Sequence, residues 1–421
     1  MECIVINGQK RLTGHVAISG AKNAAVAIIP ATIVSGGVCI LDNVPNIEDV
    51  FSLTKALESL GAKCEFKDDN HTLIVDATHV NSHTLDEKLA QSTRASYYFM
   101  GALLARFGKA VMPMPGGCEI GARPMGYHLK GFEALGATCT QEHGIVTLEA
   151  PNGLNGANIY LDSPSVGATI NIMIAAIFAK GVTIIENSAR EPHVVDTANF
   201  LNKLGARITG AGTEIIRIIG VENIVGGEYT IIPDQIEAGT YMIASAITGG
   251  DVTVENIIPK HMESLTSKLK EIGAQVTEDL DSIRVQVTGK LKGCDIRTAF
   301  YPGFPTDLQP QITTLLCTCT TSSVVTENIY ENRFRYIGEL RRLGAPLKQE
   351  SRSVVINGNY MLTGAAVEAS DLRAGAALVI AGLAAKGETI ISSIEHIDRG
   401  YESLEEKLRS LGADIKRVNN A

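Results

Sequence analysis

The phrase LGAKCEF at residues 60–66 decides the fold, because close copies of it recur through the whole chain. The copies are LGATCTQ (135–141), LGARITG (204–210), IGAQVTE (272–278), LGAPLKQ (343–349) and LGADIKR (411–417). Their glycines follow one another at intervals of 68 to 75 residues and are Gly61, Gly136, Gly205, Gly273, Gly344 and Gly412. Solenoid repeats have periods of about 20 to 50 residues, so each longer unit here is predicted to be a separate supersecondary block.

An amphipathic segment precedes the copies of the phrase. In EDVFSLTKALESLGA (48–62) and MESLTSKLKEIGA (262–274), apolar residues recur at i, i+3, i+4 and i+7. This spacing predicts surface helices with one buried face. The glycine after the last Leu or Ile suits a left-handed C-cap, and the alternating residues that follow it predict a strand.

A second class of segment is apolar on nearly every side. Its members are KNAAVAIIPATIVSG (22–36), ASYYFMGALLARFG (95–108), GATINIMIAAIFAKG (167–181), GTYMIASAITGG (239–250), LQPQITTLLCTCT (308–320) and RAGAALVIAGLAAKG (373–387). A helix without a polar face must be covered all round, so these six are predicted to lie in the interior. The predicted fold is an α/β chain of six repeats of about 70 residues, grouped three plus three into two pseudo-threefold domains. The pattern leaves open where the chain crosses between them and whether the N-terminal strand completes the last repeat.

Composition argues against several classes of protein. The 421 residues carry 37 Lys and Arg against 46 Asp and Glu, and the net charge of −9 disfavours general binding of nucleic acid. The longest apolar run near the C-terminus, at 374–385, is shorter than the about 20 residues of a membrane span. The eight cysteines include no CxxC pair and the start shows no secretory signal, so a cytoplasmic protein with reduced thiols is expected. P-loop, zincin and dinucleotide-binding motifs are absent, and no metal site is predicted.

The interior helices open on polar residues. Several begin with Ser, Thr or Asp, which are good N-caps, and parallel helices in one domain would present their N-termini on the same face. Unsatisfied N–H groups and the helix dipole favour an anion there. Basic residues occur at or near these openings, namely Lys22, Arg94, Arg123, Arg373 and Arg399. Each could be a solvated or paired surface charge, or could bind phosphate or carboxylate, for which Arg has suitable geometry.

Two further residues are candidates for proton transfer. Cys118 lies in PGGCEIGARP (115–124), where glycines allow unusual backbone geometry and Arg123 could lower the pKa of the thiol. It could equally be inert, as the other seven cysteines are expected to be. Asp307 ends PGFPTD (302–307) before an apolar helix, where it could complement the helix dipole or act as a general base. The same ambiguity applies to three other acids: Glu191, Asp234 and Glu237.

Nine phrases in order resemble those of the UDP-N-acetylglucosamine enolpyruvyl transferase family. They are SGAKNAA (19–25), PGGCEIGARP, SVGATI (165–170), EPHVVDTANF (191–200), PDQIEAGT (233–240), PGFPTD, ENRF (331–334), DLRAGA (371–376) and HIDRGY (396–401). The resemblance runs from about Ile6 to the C-terminus. It implies an inverse α/β barrel of two three-repeat domains, one discontinuous (1–21 plus 233–421) and one continuous (22–232) that carries the Cys118 loop. The two crossings would form a hinge.

The resemblance also implies an activity without metal or organic cofactor. Family members move the enolpyruvyl group of phosphoenolpyruvate to the 3-hydroxyl of UDP-N-acetylglucosamine and release phosphate, in the first committed step of peptidoglycan synthesis. Cys118 would be the general acid on the phosphoenolpyruvate methylene, and Asp307 would deprotonate or orient the sugar hydroxyl, with Lys22 and Arg399 also catalytic. No nucleic-acid or membrane partner is expected, and the oligomeric state is left open.

The remaining implied roles fall into three groups. The residues implied to bind phosphoenolpyruvate are Lys22, Asn23, Arg123, Arg373 and Arg399. Those implied to bind UDP-N-acetylglucosamine are Asn23, Arg94, Arg123, Pro124, Met125, Gly126, Tyr127, Ser165, Val166, Gly167, Asp307 and Ile329. Residues implied to support them are Glu191, Asp234, Glu237, Glu331 and Arg333.

The chain departs from the family pattern near the expected uridine diphosphate contacts. Gly126 stands where many members have Asp, Ser163 where some have Lys, and His193 replaces an acid found in some relatives. Two alternatives remain. The shikimate 3-phosphate enolpyruvyl transferase is similar in fold, but the loop cysteine and the GARP phrase argue against it. A non-catalytic UDP-sugar-binding paralogue is disfavoured because Lys22, Cys118, Asp307 and Arg399 are all present.

Overall fold

The computed structural model of the chain describes residues 2–69, 71–114, 120–121 and 125–419. Three predicted site residues, Cys118, Arg123 and Pro124, lie outside the described residues, and their roles stay predictions. None of the helices in the described ranges has both the length and the apolar character that a bilayer span requires.

The strands are mostly three to six residues long. In chain order they are β1 Glu2–Asn7, β2 Thr13–Ala17, β3 Val38–Asp42, β4 Lys63–Lys67, β5 Thr72–Asp76, β6 Lys109–Pro113, β7 Thr138–Glu142, β8 Ile145–Glu149, β9 Asn158–Tyr160, β10 Val182–Glu186, β11 Arg207–Thr209, β12 Ile215–Ile219, β13 Glu228–Thr230, β14 Asp251–Glu255, β15 Gln275–Glu278, β16 Ser282–Gln286, β17 Ile296–Arg297, β18 Ser323–Thr326, β19 Leu347–Glu350, β20 Ser353–Ile356, β21 Ala366–Glu368, β22 Glu388–Ser392 and β23 Asp414–Asn419.

The α-helices alternate with these strands. They are α1 Lys22–Ala31, α2 Glu48–Ser59, α3 Glu87–Ser92, α4 Tyr98–Phe107, α5 Gly126–Ala134, α6 Val166–Ala175, α7 Pro192–Lys203, α8 Gln235–Ile247, α9 Glu263–Ile272, α10 Gln309–Thr318, α11 Ile337–Arg342, α12 Leu372–Ala384, α13 Glu395–Asp398 and α14 Leu404–Ser410. Short 3₁₀ turns flank several of them, at Thr32–Ser35, Arg94–Tyr97, Ala176–Phe178, Pro259–Met262, Thr306–Leu308 and Arg333–Tyr336.

The described chain divides into two compact units, each with its own hydrophobic core and three sheets. The first unit comprises residues 2–19, 120–121 and 233–419, and its sheets have the strand orders β21-β22-β1-β23, β15-β16-β14-β2 and β17-β18-β20-β19. The second unit comprises residues 20–69, 71–114 and 125–232, with sheets β13-β3-β5-β4, β6-β8-β7 and β11-β12-β10-β9. Six sheets in the described residues match the six repeats of the sequence.

The N-terminal residues complete sheets that belong to later repeats. Strand β1 lies between β22 and β23 and is antiparallel to both, with Ile4 opposite Ile391 and Arg417. Strand β2 pairs in parallel with β14, and Val16 lies opposite Val254. The question that the sequence left open is thus answered, since the first strand belongs to the sheet of the last repeat.

The six predicted interior helices are α1, α4 and α6 in the second unit and α8, α10 and α12 in the first. Helices α8, α10 and α12 contact one another pairwise, and α4 contacts both α1 and α6. The residues of α12 from 373 to 383 are all buried, as expected of a helix without a polar face. The glycine after each amphipathic helix has a φ between +86° and +113°, a conformation that other residues adopt only with strain.

Candidate active site

Three charged side chains of the first unit meet just before α10. Asp307 lies in the 3₁₀ turn, and its side chain is 27% exposed. Its Oδ1 accepts a hydrogen bond from Nη2 of Arg333 at 2.9 Å, and its Oδ2 accepts one from Nη2 of Arg373 at 3.2 Å. Both arginine side chains are buried. The two guanidinium groups share this one carboxylate, and their other N–H groups have the geometry to bind an anionic ligand.

The charge of the buried Arg373 is stabilised by its neighbours. Burial lowers its pKa, but the charges of Asp307 and Asp234 and the contact with Tyr401 more than compensate, so the pKa lies above its ordinary value. The guanidinium carbon lies 5.4 Å from the centre of the Tyr401 ring, a cation–π contact. The Nη1 atom is buried and has no hydrogen-bond partner among the described residues. Because an unpaired buried donor is costly, this atom is a ready hydrogen-bond donor for an anion.

Two aspartates, rather than a ligand, satisfy the first N–H groups of α8 and α12. Asp234 accepts hydrogen bonds from two backbone N–H groups of α8 at 2.7 and 3.0 Å. Asp371 does the same at α12, at 2.9 and 3.1 Å. These carboxylates also place negative charge at the positive ends of the helix dipoles. The expectation that open helix N-termini attract the anion therefore does not hold at these two helices, where the positive charge comes from arginine side chains.

Glu237, another of the predicted acids, is a buried carboxylate that does not belong to the Asp307 cluster and bonds to Lys407 and Ser19. Its Oε1 accepts a hydrogen bond from Nζ of Lys407 at 2.6 Å, and its Oε2 accepts one from the backbone N–H of Ser19 at 2.9 Å. Burial raises the pKa of Glu237 to about 7 although the charge of Lys407 opposes the shift. This pair anchors the last residue of the N-terminal segment of the first unit.

The other predicted residues of the first unit lie in loops. Arg399 directly follows α13 and is partly buried. In the loop after β18, Ile329 donates its backbone N–H to Oε1 of Glu327 at 2.8 Å, and Glu331 is exposed. A Cβ added to Gly121 would lie 2.8 Å from Oε2 of Glu331, so this glycine packs closely against the Glu331 side chain.

In the second unit, Lys22 opens α1 and forms an ion pair. Its Nζ lies 2.9 Å from Oδ2 of Asp49, in the first turn of α2, and the two side chains are 14% and 5% exposed. The neighbouring Asn23 is partly buried. An ammonium group with a carboxylate on one side and some exposure can still receive a second anion.

A polar cluster in the second unit surrounds His128, a residue that the sequence did not single out. Asn171 donates through Nδ2 to the backbone carbonyl of Tyr97 at 2.8 Å, and the same Nδ2 lies 3.0 Å from Nδ1 of His128. Burial, helped by the charge of Arg94, lowers the pKa of His128 to about 3. His128 is therefore neutral at physiological pH, and its Nδ1 accepts the hydrogen bond from Asn171. The predicted ligand residue Arg94 begins the adjoining 3₁₀ turn.

The predicted SVG phrase forms the start of α6. Ser165 caps the helix, and its Oγ accepts the N–H of Ala168 at 3.3 Å. A Cβ at Gly167 would lie 2.9 Å from the Tyr97 hydroxyl and 3.1 Å from the His128 ring, so a larger residue would displace these rings. Val166, in the first turn of α6, is partly buried, as is Glu191 at the N-cap of α7. Met125 is buried just before α5. In the first turn of α5, Gly126 is exposed and Tyr127 is partly buried.

Four of the cysteines with described positions are poor candidates for acid–base chemistry. The seven with described positions are all free thiols. Burial raises the pKa of Cys64, Cys139, Cys317 and Cys319 to about 12, so these thiols stay protonated at neutral pH.

Comparison with known proteins gives consistent results. A family model described as EPSP synthase (3-phosphoshikimate 1-carboxyvinyltransferase) matches residues 6–408. The chain is 55% identical over 418 residues to UDP-N-acetylglucosamine 1-carboxyvinyltransferase 3 of Caldanaerobacter subterraneus subsp. tengcongensis, with 99% of this chain and 100% of that protein covered. It is 54% identical over 420 residues to UDP-N-acetylglucosamine 1-carboxyvinyltransferase of Clostridium botulinum, with the same coverage.

Solved structures share the fold. The enolpyruvyl transferase NikO from Streptomyces tendae superimposes with a TM-score of 0.90 at 26% identity, covering 100% of this chain and 99% of that one. EPSP synthase from Acinetobacter baumannii superimposes with a TM-score of 0.76 at 21% identity, covering 99% of this chain and 100% of that one. The inverse α/β barrel that the family resemblance implies is thereby confirmed.

Proposed function

Because the chain belongs to the enolpyruvyl transferase family that the EPSP synthase model describes, we propose that it transfers the enolpyruvyl group of phosphoenolpyruvate to the 3-hydroxyl of UDP-N-acetylglucosamine. Relatives that are 52 to 55% identical to the chain are named for UDP-N-acetylglucosamine, which supports this acceptor over shikimate 3-phosphate. The reaction is the first committed step of peptidoglycan synthesis. We place it in the cytoplasm, which the free thiols of the described cysteines support.

The reaction proceeds by addition and elimination. In the addition, the sugar oxygen bonds to C2 of phosphoenolpyruvate, the hydroxyl proton passes to a base, and the methylene carbon gains a proton from an acid. In the elimination, the bond from C2 to the phosphate oxygen breaks and the new methyl group loses a proton, which restores the double bond. The protein must therefore provide a base, an acid and cations for a strongly anionic intermediate.

The observation that carries the proposal is Asp307 between the buried guanidinium groups of Arg333 and Arg373. The carboxylate can accept or orient the proton of the sugar hydroxyl, since it is partly exposed. The free Nη1 of Arg373 can donate to an oxygen of phosphoenolpyruvate or of the intermediate. Fixed donors of this kind stabilise charge as it develops in the transition state.

Other roles follow the family pattern. Lys22, Arg123 and Arg399 bind the phosphate and carboxylate of phosphoenolpyruvate with Asn23, and Cys118 donates the proton to its methylene. Arg94, the 123–127 segment, the 165–167 segment and Ile329 bind UDP-N-acetylglucosamine. The capped start of α6 and the edge-to-face Tyr97–His128 pair behind Gly167 support a preformed surface at this position.

A phosphate-release assay with purified protein tests the acceptor. We expect release from phosphoenolpyruvate with UDP-N-acetylglucosamine and none with shikimate 3-phosphate. Release with shikimate 3-phosphate alone would establish the rival enzyme, and release with neither acceptor would favour a binding protein without catalysis.

The role of Cys118 has its own test. We expect Cys118→Ser to abolish most turnover at neutral pH and to prevent labelling by an epoxide that mimics phosphoenolpyruvate. The matched control is Cys139→Ser, which replaces a thiol whose pKa burial raises to about 12 and should keep both turnover and labelling. Labelling that persists in Cys118→Ser would assign the reactive thiol elsewhere.

A further inference from the structure

Glu327, the residue after β18, is a buried carboxylate that the proposed chemistry does not use. Its side chain is 0% exposed, and within the described residues it forms no ion pair. Burying a carboxylate without a cation is unfavourable unless hydrogen bonds compensate it. The side chain accepts four such bonds, all from neutral groups. Because these bonds are made in the interior, they hold their donors firmly.

The four donors come from three separate segments of the first unit. Oε1 accepts hydrogen bonds from the hydroxyl of Thr298 at 2.8 Å and from the backbone N–H groups of Ile329 and Tyr330 at 2.8 and 3.2 Å. Oε2 accepts one from the hydroxyl of Thr306 at 3.0 Å. Glu327 therefore joins the end of β17, the turn before α10 and the loop after β18.

The hydrogen bond from Thr306 to Glu327 fixes the residue that directly precedes the proposed base, Asp307. Thr306 precedes Asp307 in the same 3₁₀ turn, and its backbone carbonyl accepts a hydrogen bond from Nε of Arg333 at 3.3 Å. Arg333 in turn donates through Nη2 to Asp307. The turn that carries Asp307 is thus fixed on one side by Glu327 and on the other by Arg333.

We propose that Glu327 is a positioning residue that holds Asp307 and the Ile329–Tyr330 backbone in one rigid arrangement for the acceptor sugar. The inference rests on the proposed function, in which Asp307 receives the hydroxyl proton and Ile329 lies beside the sugar. A displacement of about 1 Å at a catalytic group can lower the rate about 100-fold. Loosening this arrangement should therefore lower kcat and raise KM for UDP-N-acetylglucosamine, with little change in KM for phosphoenolpyruvate.

The first test compares three variants by steady-state kinetics. Thr306→Val removes the hydroxyl but keeps the shape, and we expect kcat to fall about 10- to 100-fold. Thr306→Ser restores the hydroxyl and should recover most of the activity. The control is Thr326→Val, one residue before Glu327. The hydroxyl of Thr326 lies 3.0 Å from that of Ser353 and does not bond to the Glu327 side chain, so kcat of this variant should stay within about twofold of wild type.

The second test does not depend on activity. Glu327→Gln should raise the amide hydrogen exchange of Ile329 and Tyr330 at least about tenfold over wild type, because both N–H groups donate to Oε1 and a neutral amide oxygen accepts hydrogen bonds more weakly than a carboxylate oxygen. Thr326→Val should leave that exchange unchanged. Wild-type protein that releases no phosphate would refute the proposed function alone, since the exchange experiment still tests the positioning.

Two results would overturn the proposal. One is equal kcat in Thr306→Val and Thr326→Val, and the other is unchanged exchange at Ile329 and Tyr330 in folded Glu327→Gln protein. A uniform rise of exchange over the whole first unit in Glu327→Gln would also count against it, because it would show a general loss of stability instead of a local role.

Discussion

Arg373 in the first unit and His128 in the second are both buried bases, and burial lowers the pKa of each. At neutral pH, Arg373 is nevertheless positively charged, whereas His128 is neutral. Asp307, 3.2 Å from Arg373, helps to raise the arginine pKa above its ordinary value, whereas the charge of Arg94 adds to burial and lowers the pKa of His128 to about 3. The neighbouring charges thus act on the two pKa values in opposite directions, since a carboxylate raises that of Arg373 and a guanidinium adds to the lowering of that of His128.

The difference separates two kinds of polar cluster. Around Asp307, two guanidinium groups share one carboxylate, and the unpartnered Nη1 of Arg373 can donate a hydrogen bond to an anion. Around His128, a neutral ring, the Asn171 amide and the Tyr97 carbonyl satisfy one another and fix the shape of the start of α6. The first cluster is suited to binding charge and the second to holding a surface in place.

The largest expected effect comes from removing the carboxylate of the first cluster. Asp307→Asn takes away the proposed base and leaves two buried guanidinium groups without their shared partner. We expect phosphate release to fall about 10²- to 10⁴-fold, the range of general-base catalysis. The assay is phosphate release with UDP-N-acetylglucosamine, on protein shown to be folded by circular dichroism.

The control is Asp251→Asn in the same unit. Asp251 also accepts two hydrogen bonds from an arginine, Arg284, both at 2.7 Å, and its side chain is 23% exposed, close to the 27% of Asp307. Its activity should stay within about twofold of wild type, since surface ion pairs contribute little. Similar losses in both variants would show that Asp307 acts through stability and not through chemistry.

An intermediate effect is expected from His128, which is neutral at physiological pH. The pKa of His128 is about 3 in the fold against 6.5 ordinarily, so between these values the unfolded chain binds more protons. The free energy of unfolding should therefore fall as the pH drops from about 6.5 towards 3, by up to about 1.4 kcal/mol per pH unit from this residue. His128→Asn keeps an acceptor for Asn171 and should make this pH dependence shallower.

Urea denaturation at several pH values between about 4 and 7 measures this slope. The matched control is His143→Asn, in an exposed turn where φ is 51°, a conformation that Asn tolerates. It should keep the wild-type slope. Identical slopes in the His128→Asn variant and in wild type would mean that His128 is not held neutral by the fold.

The smallest effect is expected at Tyr401, below the guanidinium of Arg373. Tyr401→Phe keeps the ring and its cation–π contact but loses the hydroxyl, which lies 2.8 Å from Oγ1 of Thr240 and 3.1 Å from Nε2 of Gln311. We expect a loss of about 1 kcal/mol in the free energy of unfolding and phosphate release within about threefold of wild type. A loss as large as that of Asp307→Asn would instead show that the hydroxyl takes part in the reaction.

The repeats made most of the fold predictable. Gly61 and its five counterparts required a left-handed conformation after each amphipathic helix, and the segments without a polar face had to be interior helices. The partners of β1 were not predictable, because its apolar residues would suit the edge or the middle of several sheets. Register between residues as distant as Ile4 and Ile391 depends on the assembled unit, and no local pattern encodes it.

The candidate site was only partly predictable. Asp307 and Arg373 stood out because they open apolar helices, but their direct contact did not, and Arg333 was named only through family resemblance. Glu327 was missed since an acid between a strand and a loop is typical of a solvated surface. His128 was missed because the histidines are scattered in sequence, and only the folded chain brings it beside Asn171.

The placement of β1 and β2 has a consequence for how the chain is made. Both strands leave the ribosome before their neighbours β22, β23 and β14, which are synthesised more than 230 residues later. The second unit can close while the opening strands still wait unpaired, with their backbone edges open to chaperones or to other nascent chains. The first unit can fold completely only after β23 has been synthesised and has paired with β1. Premature termination a few residues before β23 should therefore leave a molecule in which only the second unit is folded.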